Sequence, residues 1–111
     1  MSNQLVSDEA VELALDWLRD NADAIGDAKR DAVKFDHMMK HTKALVMSLH
    51  KDLPVSAQDR EAAASPEYLA AIEAAAAAAG HFEQMKALRE AAALKIEVWR
   101  SMGANYRAMK L

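Results

Sequence analysis

Pro54 and Pro66 are the only two prolines in this 111-residue chain. The long stretches on either side lack the residue that stops a helix most firmly. Glycine is nearly as rare, with three in all. A chain punctuated this way has room for two long helices and one break between them. Its apolar content agrees. The hydrophobic fraction of 52% is inflated by 25 Ala, against 22 Leu, Ile, Val and Phe together. Such a composition suits long helices with thin apolar seams, not a globule with a thick core.

Ser7, followed by Asp8 and Glu9, has the marks of a helix start. The hydroxyl can cap an orphan N–H, and the acids sit at the positive end of the helix dipole. The apolar series then runs Val11, Leu15, Leu18, Ala22, Ile25, Ala28, Ala32, Phe35, Met39, Thr42, Val46, Leu49, Leu53. Its steps of four and three are those of one helix face. The alternation breaks at Ile25, Ala28 and Ala32 beside Gly26, which predicts a phase slip and a weak point there. Pro54 disfavours helical geometry at Leu53, so this helix is expected over about residues 7–52.

Ser56 with Asp59 three positions on resembles a capping box, and predicts a short helix over about residues 57–64. Ser65-Pro66-Glu67 is the clearest punctuation: a capping hydroxyl, proline at the first helical position, an acid behind it. The last helix is expected over about residues 66–109. Its face reads Tyr68, Ile72, Ala75, Ala79, Phe82, Met85, Arg89, Ala92, Ile96, Trp99, Gly103, Tyr106, with a second slip beside Gly80.

Two long helices joined by a short connection must lie antiparallel. The expected fold is one all-α domain over residues 1–111: a long, coiled-coil-like antiparallel helical hairpin with a short connecting helix. Large apolar residues are too few to stabilise a lone hairpin well. Self-association into a dimer or larger bundle is therefore expected, along a seam of Leu15, Leu18, Phe35, Met39, Ile72, Phe82, Ile96, Trp99 and Tyr106.

Charge is unevenly distributed. Residues 1–27 hold seven acids and one base, residues 28–52 six bases and three acids, and residues 85–111 six bases and two acids. In an antiparallel hairpin the acidic start of the first helix lies beside the basic end of the last, which favours that orientation and register. The other reading is a phosphate-binding surface of Lys95, Arg100, Arg107 and Lys110, with Trp99 and Tyr106 near enough to stack on bases. The two aromatics also fall on the apolar seam, where burial of Ile96, Trp99 and Tyr106 is expected.

Catalytic signals are lacking. The chain has no cysteine, which excludes disulfides and thiolate metal sites. His37 and His41 share a helix side at a spacing used by metal sites, but no acidic third ligand stands at a fitting position. Carboxylate pairs such as Glu9 with Glu12 and Asp16 with Asp20 have no neighbouring base or nucleophile. No phosphate loop, dinucleotide fingerprint or Ser–His–Asp order is present. The sequence reads as non-enzymatic, without metal or cofactor. No apolar run is long enough for a membrane span, and Met1–Glu12 lacks the features of a signal peptide. The expected compartment is the cytoplasm.

Several stretches together resemble a known group: Lys43–Met47, Ser56–Ala62, Ser65–Tyr68, Lys95–Arg100 and Ala104–Ala108. The pattern is similar to small all-helical proteins of tailed bacteriophages and prophages, often encoded near phage recombination or replication genes. It covers roughly residues 10–110; the first helix carries little of it, and the alanine run Ala74–Ala79 is peculiar to this chain. The resemblance implies a phage origin, a bacterial host and an accessory role at single-stranded DNA or beside a recombinase. It carries over no catalytic residue. The alternative expectation is a structural or adaptor module that binds another protein's helix and no nucleic acid.

Overall fold

The computed structural model describes residues 5–109. It is all-α among those residues: α1 spans Asp8–Ser48, α2 Val55–Ala63 and α3 Pro66–Met109. The chain divides into two compact units, Met1–Ile25 with Gln84–Leu111, and Gly26–Glu83. In both, α1 and α3 pack antiparallel, as a helical hairpin requires.

Capping explains the helix ends. The Ser7 hydroxyl accepts the Ala10 N–H at 3.1 Å, and Asp8 and Glu9 occupy the first turn of α1. α1 ends at Ser48, four residues before the expected limit. There the Ser48 hydroxyl donates to the Leu45 carbonyl at 2.6 Å. The N–H groups of Leu49 and His50 turn back to the carbonyls of Val46 and Met47, which tightens the chain into a turn. The expected Ser56 cap is not used: α2 starts at Val55, and the Pro54 carbonyl receives the Ala57 and Gln58 N–H groups. Ser65 does cap α3. Its hydroxyl accepts the Tyr68 N–H at 3.1 Å and donates to the Ala62 carbonyl at 2.7 Å. Ala62 is wholly buried at this corner and Ser65 nearly so.

In the first unit, Val11, Ala14, Ile25 and Ala92 are buried, while Trp17, Leu18, Asn21, Met85 and Ile96 are half-buried. The Asn21 amide satisfies its own polar group by donating to the Trp17 carbonyl at 2.9 Å. In the second unit, Ala28, Val46 and Ala62 are buried, and Phe35, Met39, Tyr68 and Phe82 are half-buried. The Lys29 ammonium lies 4.9 Å from the centre of the Phe82 ring. Lys43 joins all three helices of this unit: Nζ is 2.9 Å from Asp59 on α2 and 5.6 Å from the Tyr68 ring centre on α3. The hydrogen bond to Asp59, then its charge, holds the Lys43 ammonium above the usual lysine range.

Burial corrects the seam. On α1 one row of covered positions runs Val11, Ala14, Leu18, Asn21, Ile25, Ala28, Ala32, Phe35, Met39, Thr42 and Val46. These steps alternate three and four without a break, so there is no slip beside Gly26. Ala14 and Asn21 hold the places expected of Leu15 and Ala22. On α3, likewise, Ala71 and Ala78 replace Ile72 and Ala79, and the slip beside Gly80 disappears. Leu15 is 52% exposed and Ile72 38%. Small side chains let two helix backbones approach closely, and the bulkier residues beside them are displaced to the flanks. Among the described residues, no large side chain is fully buried.

Candidate nucleic-acid interface

Helical period decides which basic residues near the end of α3 can act together. Arg100 and Arg107 are seven apart, two turns on one flank, about 10 Å along the axis. Both are exposed. Arg100 Nη1 is 3.0 Å from Glu97 Oε1, one turn back. The Arg107 guanidinium lies beside Gly103, 3.5 Å from where a β-carbon would stand.

Trp99 joins these arginines. Its indole N–H donates to Asp8 Oδ1 at 2.6 Å, which fixes the ring against α1 within the first unit. It remains 37% exposed, and Tyr106 is 60% exposed, so neither is the buried seam residue expected. Trp99, Arg100 and Arg107 line one open groove of about 390 Å³ with Glu97, Ser101, Gly103 and Ala104. An aromatic face beside two guanidinium groups can stack a planar group and pair with anions next to it.

The other expected residues separate. Lys95 is five positions before Arg100, about 140° away around the helix. It lines a different groove with Ala10, Leu13, Trp17 and Leu88. Lys110 lies outside the described residues. Arg89 was not among the expected contacts. It is eleven residues before Arg100, three helical turns, so the two lie within about 20° of one another. Arg89 is exposed, and that spacing is the signal in the sequence that marks it. Of the expected seam residues, Leu18, Phe35, Met39, Phe82 and Ile96 are half-buried within the hairpin.

The acidic start of α1 and the basic end of α3 belong to the same unit, but among the described residues no ion pair within 4 Å joins them. Among the described residues, ion pairs within 4 Å are local to one helix, apart from Lys43 with Asp59. Arg19 is held between Asp16 and Asp20, and the hydrogen bond to Asp20 is the chief cause of its raised pKa. His37 and His41 are both exposed. Among the described residues no group of three His, Cys, Asp or Glu is placed to hold a metal ion, and no helix is long and apolar enough to cross a membrane.

No known protein family, curated protein or solved structure matches the chain.

Proposed function

We propose that this protein is a non-enzymatic accessory factor of phage-type DNA recombination or replication. It self-associates in the cytoplasm of a bacterial host and holds single-stranded DNA on the exposed flank of α3, alone or beside a recombinase. The observation that carries this reading is the groove that brings together Trp99, Arg100 and Arg107. The half-exposed indole is a platform for a base, and its bond to Asp8 keeps it in place before the strand arrives. The arginines offer two phosphate contacts, and Arg89 extends the line toward the middle of α3. The sequence resemblance to helical phage proteins points to the same setting.

Fluorescence anisotropy with a labelled forty-nucleotide thymidine strand tests it. Binding weakens with salt, because each neutralised phosphate releases counterions, with a slope of about −0.7 per contact. Changing Arg100→Ala and Arg107→Ala together flattens that slope by about 1.4 and leaves helix content unchanged. Absence of binding by the native protein at about 50 mM salt overturns the reading.

A second reading is an adaptor that binds another protein's helix without touching nucleic acid. Large apolar side chains left in solvent favour it, among them Leu13, Leu45, Leu49 and Leu94 at 54–78% exposure. It predicts no DNA binding at any salt concentration.

A further inference from the structure

The flank of the first unit opposite Arg100 and Arg107 carries an apolar groove. Leu13 and Trp17 of α1 form one wall and Leu88 of α3 the other, with Ala14 and Ala92 between them; its volume is about 290 Å³. Ala14 and Ala92 are 6% and 7% exposed, whereas Leu13 is 63% and Leu88 46% exposed. Two leucines and a half-buried tryptophan thus stand over a floor of small side chains. That shape accepts side chains of another helix, as holes accept knobs in a helical bundle.

We propose that the occupant is a second copy of this chain, related by a two-fold axis running parallel to the helices. This rests on the self-association named above and is independent of DNA binding. Charge selects both the occupant and the arrangement. Within this unit α1 holds six acids and one base over Asp8–Ile25, a net of −5. α3 holds five bases and two acids over Gln84–Met109, a net of +3; Arg89, Arg100 and Arg107 stand on the other flank, and Lys95 is the base at the groove. An axis parallel to the helices lays α1 of each copy on α3 of the other, antiparallel, with opposite charges facing at both contacts. An axis across the helices lays α1 on α1, with −5 against −5. Lys95, on the α3 edge of the groove, has no ion-pair partner among the described residues. In the chosen arrangement it meets the acidic α1 of the second copy. Around this unit the two copies form a four-helix bundle in which every neighbouring pair is antiparallel.

The chain has no cysteine, so single thiols report this geometry without background. Leu13 on α1 faces the stretch of the partner's α3 that contains Ala91. A mixture of the Leu13→Cys and Ala91→Cys proteins should form a covalent dimer on oxidation, more readily than either protein alone. Sedimentation of the native chain should give twice its 12.2 kDa at micromolar concentration. Leu13→Glu or Leu88→Glu should weaken dimerisation at least tenfold. Both sites are exposed in the monomer, so circular dichroism should stay native. A monomeric native mass at all concentrations overturns the proposal. So does cross-linking of Leu13→Cys alone as efficient as the mixture, or a native dimer unaffected by either glutamate.

Discussion

The indole N–H of Trp99 donates to Asp8 Oδ1 across 91 positions of sequence. It is a directed polar contact between α1 and α3 within the first unit. Elsewhere in that unit Val11, Ala14, Ile25 and Ala92 are buried, and apolar contact of that kind is less particular about alignment. A bond to a charged acceptor contributes about 1.5–3 kcal/mol when sheltered, and less near solvent. A double-mutant cycle of Asp8→Ala and Trp99→Phe should therefore show a coupling of about 1 kcal/mol by denaturant unfolding. Independent, additive effects would show that the bond contributes nothing to the pairing.

The alanine seam predicts opposite responses at adjacent residues. Ala14→Leu forces an isobutyl group between α1 and α3 and should cost about 1–3 kcal/mol. Leu15→Ala removes a side chain that is 52% exposed, and should cost less than about 1 kcal/mol. Urea midpoints of the two variants decide it; the reverse order would return Leu15 to the seam.

Gly26 and Gly80 lie inside helices where an added β-carbon would meet nothing within 4 Å beyond the adjoining helical backbone, and no glycine has a positive φ. Neither glycine is needed for space or for backbone conformation. Each change to alanine should stabilise the protein by about 0.5–1 kcal/mol, through the entropy the unfolded chain no longer has to lose. A rise in Tm of a few degrees for each variant is the expected result. A fall in either would reveal a constraint on that glycine from outside the monomer.

Lys43 gives a pH dependence. Its folded pKa lies above the usual 10.5, first because it is hydrogen-bonded to Asp59 and then because of that carboxylate's charge. Its contribution is therefore complete below about 10.5 and is lost as pH rises through the folded value. Thermal unfolding of the native protein and of Lys43→Met should differ most below pH 10, with the curves converging at higher pH. A constant difference across that range would place the contribution in packing against Tyr68 alone.

The two prolines, the serine caps and the alanine-rich stretches fixed the number and order of the helices, since these are effects of backbone and nearest neighbours. The sparse break at Pro54 to Pro66 made the hairpin antiparallel. The same local logic put Arg100 and Arg107 on one flank, because seven residues make two turns. Lys95 was separable by the same geometry, although its basic character alone grouped it with them. Only the tertiary structure decided which residues meet. Periodicity ranks side chains by hydrophobicity and so prefers Leu15 and Ile72. Packing ranks them by the space between two backbones, and Ala14, Ala71 and Ala78 fit it better. The half-exposure of Trp99 and the groove beside Leu13 follow from that choice. Each depends on how one helix covers the other, and no pattern within a single helix records it.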